Sequence, residues 1–249
     1  MGVNHFRGGR AWAAVLLCLA GILANHYASA SGFTVTPVRI YMTPKDRAVA
    51  VTVTNDNDTD MVMQADLVRW KQTPDGKDEL TPTEEIFLSP PILKIAAKSR
   101  QVVRLARIGS AKLNEQLTYR MIVREIPEVR KPSEHTEVQI ALAFNMPVFI
   151  TPQDAKPKLD CTVIRVTVET VRAVCANSGD AHIHPVKLEL SDSKGDVLSR
   201  EDSGGYILAN VTRSFDLKRN DAKISGGNGK LMVSFADGTN RSYDVSIPD

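Results

Sequence analysis

Helical segments, cysteines and aromatic residues are all scarce in this chain. It has three cysteines among 249 residues, and aromatic residues make up 6% of it. Only Ser110–Leu117 has the composition of a short helical turn, whereas most other segments alternate apolar and polar side chains as β-strands do. No phosphate-binding loop, GxGxxG or GxSxG motif occurs. The sequence therefore predicts an all-β protein without catalytic residues, and an exported enzyme is a disfavoured alternative.

No apolar run in the chain is long enough for a spanning helix. The run at Ala11–Ala24 has 14 residues, fewer than the ~18 that cross a membrane. Arg7 and Arg10 precede it and Ala28-Ser29-Ala30 follows it, which is the pattern of a secretory signal peptide over residues 1–30. A membrane anchor is the alternative. We expect an exported mature chain that is not inserted in the membrane.

Net charge is also absent once residues 1–30 are set aside. The chain has 31 Lys and Arg against 29 Asp and Glu, and two of the arginines lie in that segment, which leaves 31 − 2 = 29 basic residues. Nucleic-acid binding needs a basic field. The balance excludes nucleic acid as a general partner.

Removal of residues 1–30 takes away Cys18 and leaves Cys161 and Cys175. An exported chain folds in an oxidising compartment, where such a pair is usually bonded. The alternating runs between the two cysteines could form a hairpin that brings the sulfurs together. We expect a disulfide, and two free buried thiols are the alternative.

Two groups of residues have a superficial likeness to metal sites. The first is a run of aspartates that lacks the glycine and the glutamate of a calcium loop: Asp56, Asp58 and Asp60. The second is His182 and His184, where Pro185 interrupts the strand and no third ligand follows at suitable spacing. We expect a solvated turn and an exposed loop or strand end, without metal or cofactor.

The strand-like segments fall into two groups. About seven fit within residues 31–152, which is the number in an immunoglobulin-like sandwich. A polar stretch with two prolines, Thr151–Lys158, follows, and further short strands occupy residues 153–249. We predict two immunoglobulin-like β-sandwich domains, residues 31–152 and 153–249.

The most apolar of these segments is Val138–Ile150. Its large side chains alternate with small or polar ones and so share one face of a strand: Val138, Ile140, Leu142 and Phe144. A long apolar strand at a sheet edge favours pairing with another chain. Packing into its own sandwich is the alternative.

Five motifs in the first predicted domain occur in the order of one known family. They are Phe33–Met42, Val51–Asn57, Leu88–Leu105, "REIP" at Arg124–Pro127 and "VQIAL" at Val138–Leu142. In these motifs the chain resembles the periplasmic pilus-assembly chaperones of the chaperone–usher pathway. The resemblance implies a periplasmic protein without cofactor whose partners are a fibre subunit and an outer-membrane usher.

The resemblance also implies how the subunit is held. The seventh strand of the family enters a groove in the incomplete subunit by β-augmentation. Chaperone–pilin complexes are a known case of such strand addition. Here the entering side chains would be Val138, Ile140, Leu142 and Phe144. Because the opposite face carries small residues such as Ala143, we expect that face on the home core and the large side chains outward.

The family anchors the terminal carboxylate of the subunit with an arginine and a lysine. Arg39 matches the arginine, and its planar fork suits a carboxylate; an ordinary surface arginine is the alternative. The lysine position holds Pro147, so we expect Arg120, or else Arg104, to substitute for it.

Two positions of the family's usual inter-domain ion network are also replaced, by Gln116 and Thr151. These departures indicate a divergent member, such as one of the archaic type. A structural fibre subunit or adhesin of similar fold is the alternative function, although such a subunit would carry an extended donor segment before its first strand.

Overall fold

The structure, a computed structural model, describes residues 32–109, 113–127, 141–202, 205–219 and 222–249. The predicted signal peptide lies outside these residues, as do Val138 and Ile140. Seventeen strands form the described part of the chain. No helix long and apolar enough to span a membrane occurs among the described residues.

The first ten strands build one sandwich. They are β1 (Phe33–Thr36), β2 (Ile40–Met42), β3 (Ala48–Asn55), β4 (Met61–Gln72), β5 (Asp78–Pro82), β6 (Ile86–Ser89), β7 (Ile92–Ile95), β8 (Arg100–Arg107), β9 (Leu117–Glu125) and β10 (Ala143–Ile150). One sheet has the order β1-β3-β8-β6 and the other β2-β10-β9-β4-β5, with β7 also paired to β4. Alternate residues of both sheets, among them Val51, Leu105 and Met121, are fully buried between them.

The remaining seven strands build a second sandwich. They are β11 (Leu159–Arg165), β12 (Thr170–Asn177), β13 (Pro185–Asp192), β14 (Val197–Glu201), β15 (Val211–Lys218), β16 (Gly227–Phe235) and β17 (Asn240–Ile247). Their sheets have the orders β11-β12-β15 and β14-β13-β16-β17. Inward residues such as Val171, Leu190 and Leu231 form its core. The predicted all-β fold of two immunoglobulin-like sandwiches is confirmed.

The two sandwiches belong to one compact unit, Phe33–Asp249. Gln72 on β4 donates to the carbonyl of Tyr206 over 3.0 Å and accepts from the amide of Leu208 over 2.9 Å. Trp70 and Phe149 of the first sandwich pack with the core residues of the second. These contacts place the ends of β4 and β10 against the segments that precede β13 and β15.

The predicted disulfide between Cys161 and Cys175 is confirmed. The two residues are directly opposed on β11 and β12, their Cα atoms are 4.1 Å apart, and both are buried. The hairpin between them is the one that the alternating sequence predicts.

Replacing both cysteines by alanine should lower the free energy of unfolding of the second sandwich. With a sequence separation of 14 between the bonded positions, chain entropy predicts a loss of about 3 kcal/mol. Urea unfolding of the double variant measures this loss. Peptide mapping of unreduced protein should recover the two cysteines as one linked pair, and free thiols at both positions would contradict the expectation.

Candidate functional site

The strand β10 has one side that is only partly paired. It pairs with β9 along its whole length, Ala143 with Arg124 through Ile150 with Leu117. On its other side β2 covers only Val148–Ile150. Within the described part of the chain, the stretch from Ala143 to Pro147 therefore has an open edge.

Backbone hydrogen bonds show which amides point to that edge. The amide of Glu125 donates to the carbonyl of Leu142 over 3.0 Å, and the amide of Thr151 donates to the carbonyl of Met42 over 2.9 Å. Because orientation alternates along a strand, even-numbered residues face β9, and the amides of Ala143 and Asn145 face the open edge. Pro147 has no amide hydrogen and occupies an edge position, where none is needed for the ladder.

One apolar face of β10 extends beyond its own core. Ile150 and Val148 are fully buried and Met146 is 2% exposed. Phe144 is only partly buried at the margin of the core, and Leu142 is 42% exposed. The side chains that fill the home core at one end of the strand thus continue into solvent at the other.

The expectation that the large side chains face outward from the home core is wrong for the described residues. Phe144 packs edge to face on Phe33, with ring centroids 4.9 Å apart, whereas Ala143 and Asn145 are exposed. Alternation assigns residues to two faces but does not say which face meets the core. What distinguishes Leu142 is its position along the strand, beyond the last fully buried residue.

Two arginines flank Pro147, at the end of the open edge. Arg120 lies directly opposite Pro147 on β9, so both side chains are on the same face. Arg39 immediately precedes Ile40, which pairs with Val148 on the other side. Arg39 is exposed.

The Arg120 guanidinium is held by an aromatic ring and an acid. It lies 3.6 Å above the centre of the Trp70 ring, and 3.7 Å from a carboxylate oxygen of Asp78. Burial lowers its pKa, and the charge of Asp78 opposes that shift. Arg104, the other candidate, is exposed on β8 in the opposite sheet, where it pairs with Ala50 and Ser89. The structure brings Arg120, and not Arg104, to Pro147.

Aromatic and histidine rings from both sandwiches stack beside these arginines. Phe149 stacks on His182 with centroids 3.8 Å apart, and His184 stacks on Tyr206 at 4.0 Å. The Trp70 ring meets Tyr206 edge to face at 5.4 Å. The histidines are therefore packed at the junction of the sandwiches. His184 does lie at a strand end, directly before Pro185 of β13, but the expected exposure is wrong because both rings are partly buried. No group of three potential metal ligands occurs among the described residues.

Comparison with known proteins agrees with this architecture. Residues 32–156, about half of the chain, match the family described as pili and flagellar-assembly chaperone, PapD N-terminal domain. The chain belongs to this family. No curated protein sequence matches it significantly.

Solved structures of pilus chaperones share the fold of this family member. A chain of the CsuC–CsuE chaperone–tip adhesion subunit complex from the archaic Csu pili of Acinetobacter baumannii is 21% identical, with a TM-score of 0.65 over 88% of this chain and 100% of that one. The E. coli chaperone DraB is 16% identical, with a TM-score of 0.56 over 88% and 97%. A chain of the SafA pilin–SafB chaperone complex of Salmonella enterica is 10% identical, with a TM-score of 0.58 over 86% of this chain and 96% of that one.

In this chaperone a hydrogen-bond network of neutral side chains joins the two sandwiches. The Gln116 side-chain amide donates to the Thr151 hydroxyl over 2.6 Å, and its oxygen lies 2.9 Å from the backbone amide and 2.8 Å from Nδ1 of His182. Since that oxygen only accepts, Nδ1 of His182 carries a proton. Gln116 and Thr151 thus connect the sandwiches by hydrogen bonds without charge.

His182 should make the stability of the chaperone depend on pH. Burial lowers its pKa to about 4 from an ordinary value near 6.5, so the unfolded chain binds more protons between these values. Its contribution is therefore full above about pH 6.5 and is lost as the pH falls towards 4, by about 3 kcal/mol. Urea unfolding between pH 7 and 4 measures it. A His182→Gln variant should have a shallower dependence, and an unchanged slope would contradict the assignment.

Proposed function

We propose that this chain captures a fibre subunit in the periplasm by adding the open edge of β10 to the incomplete sheet of that subunit, and then delivers it to an outer-membrane usher. The observation that supports this most is the apolar face that leaves its own core between Met146 and Leu142, beside backbone amides that no described strand pairs. Such an edge offers main-chain hydrogen bonds for affinity and alternate side chains for pockets. Soluble proteins rarely leave such an edge uncovered.

The donor strand of this proposal includes Val138 and Ile140 as well as Leu142 and Phe144. The first two are proposed from the sequence alternation, which continues the face that carries Leu142 and Phe144. Burying four such side chains contributes at most roughly 6–12 kcal/mol. That amount is large enough to stabilise an incomplete domain and small enough to be displaced by a competing strand.

Arg39 and Arg120 are the proposed anchor of the subunit's terminal carboxylate. They stand on the two sides of Pro147, where the open edge ends, and two guanidinium groups can bind one carboxylate through charge-assisted hydrogen bonds. A fixed end would set the register of the added strand, and a slip of one residue would turn every apolar side chain away from its pocket.

The proposal includes export by a signal peptide at residues 1–30 and a division into domains at residues 31–152 and 153–249. It requires no metal, cofactor or catalytic residue. The alternative, a structural fibre subunit or adhesin, would itself need an incomplete sheet. The family to which the chain belongs favours the chaperone.

Purification of the tagged mature chain from periplasmic extracts tests the proposal. We expect a small β-rich subunit to co-purify in a one-to-one complex, and mass spectrometry would identify it. Recovery of the chain in assembled surface fibres, with no bound subunit in the periplasm, would favour the fibre-subunit alternative and contradict the proposal.

A further inference from the structure

A cleft of about 260 Å³ lies between the sandwiches beside the proposed anchor. Arg39 and Tyr41 line it from the first sandwich, and His184 and Tyr206 from the second. A carboxylate bound at Arg39 would therefore meet the His184 imidazole as well as the guanidinium.

The position of His184 is fixed by its neighbours. Its ring is stacked on Tyr206, its carbonyl accepts a hydrogen bond from the amide of Ala236 over 3.0 Å, and Pro185 of β13 follows it. Because the backbone hydrogen bond and the ring stacking both restrain His184, its imidazole needs little reordering to contact a ligand.

Cations face His184 from three elements. They are Arg39 before β2, Arg120 on β9 and Arg213 on β15. Burial, and then the charges of these three arginines, lower the pKa of His184. The imidazole is therefore neutral in the free chaperone at neutral pH.

Other titratable groups also line the cleft. The pKa of His182 is lowered to about 4, and burial raises the pKa of Tyr206. Tyr41, Asp237 and Arg241 also line the cleft. Asp237 already accepts hydrogen bonds from the amide and the hydroxyl of Thr239 over 2.9 Å and 2.7 Å, which hold its pKa low.

We propose that His184 is an additional ligand of the subunit's terminal carboxylate and binds it as an imidazolium, so that capture of the subunit takes up a proton. This inference rests on the function proposed above. Protonated His184 would be a third donor beside Arg39 and Arg120, at a site where Pro147 replaces the family's lysine. His184 would bind weakly while neutral and strongly once protonated.

The sign of the pH effect follows from linkage. A carboxylate within about 4–6 Å raises the pKa of an imidazole by about one unit or more. The complex then binds more protons than the free chaperone between the two pKa values. Affinity therefore rises as the pH falls through this interval, by about tenfold for each unit of difference, and is constant outside it.

Titration of the full-length chaperone with N-acetylphenylalanine, a small ligand with one free carboxylate, tests this inference by NMR. We expect the dissociation constant to fall between pH 8 and pH 5.5, by up to about tenfold for a one-unit difference in pKa, and the His184 ring signals to titrate at higher pH when the ligand is bound. His184→Gln should bind at all pH values with the weak affinity of the wild type at pH 8. The matched variant His182→Gln should keep the pH dependence.

The outcomes separate this inference from the anchor. If N-acetylphenylalanine binds and Arg39→Ala weakens it, but the affinity does not change with pH, the His184 inference is overturned and the anchor stands. A pH dependence that is identical in the wild type and His184→Gln also overturns it. Failure of the acid to bind more tightly than N-acetylphenylalaninamide at any pH would overturn both.

Discussion

Leu142→Glu should abolish subunit capture while the chaperone stays folded. Leu142 is 42% exposed and lies beyond the last buried residue of its face, Met146, so the home core does not depend on it. In the complex its side chain would enter an apolar groove, where an unpaired carboxylate costs several kcal/mol in addition to the lost apolar burial. We expect the dissociation constant to rise by more than about a thousandfold, measured by calorimetry with the co-purified subunit.

Val102→Glu is the matched control for this variant. Val102 is also 42% exposed, but it lies on β8 in the opposite sheet, so its substitution should leave capture unchanged. Thermal unfolding of both variants verifies the fold. If Leu142→Glu captures the subunit as the wild type does, or if it unfolds, Leu142 does not belong to a donated strand.

Arg39→Ala should weaken capture by roughly a hundredfold or more. A guanidinium that forks onto a carboxylate makes two charge-assisted hydrogen bonds, together worth about 3 kcal/mol or more, and loss of the anchor also releases the register of the added strand. Arg39→Lys should recover only part of the affinity, because an ammonium keeps the charge but not the fork. Binding of the co-purified subunit to each variant measures these effects.

Arg104→Ala is the matched control, since Arg104 is an exposed arginine of the opposite sheet. It should bind as the wild type does. Amidation of the subunit's C-terminus should weaken wild-type binding and remove the difference between wild type and Arg39→Ala. Equal affinities of Arg39→Ala and wild type for the unmodified subunit would contradict the anchor and direct attention to Arg120.

Features that depend on local pattern could be predicted from the sequence. Period-two alternation and turn residues indicate two β-sandwiches, and two cysteines on a predicted hairpin indicate their own disulfide. Arg39 could be proposed as an anchor because it stands in a recognisable motif, and that role stays a prediction. Each of these inferences needs only residues that are close together in the chain.

Features that depend on register between distant strands could not be predicted with the same certainty. The sequence favours Arg120 and leaves Arg104 as an alternative, and the pairing across strands brings Arg120 opposite Pro147. The outward orientation expected for Phe144 was wrong, because the contact with Phe33 comes from the other sheet. Alternation on β10 alone cannot show where the home core ends.

The histidines illustrate the same limit across the two sandwiches. From the sequence, Pro185 indicated only an exposed strand end for His182 and His184. Their packing depends on Phe149 and Tyr206, which come from different sandwiches. The packing of the histidines follows from a concentration of aromatic residues at the junction. These residues are far apart in the sequence, so the concentration becomes visible only in the folded chain.

Residue-resolved amide hydrogen exchange on β10 tests the central claim most directly. The amides of Ala143 and Asn145 face the open edge, whereas the amides of Phe144 and Met146 face β9 in the free chaperone. Binding of the subunit should therefore slow exchange at Ala143 and Asn145 and leave Phe144 and Met146 nearly unchanged. Unaltered exchange at Ala143 and Asn145 in a complex that has formed would contradict donation of this edge.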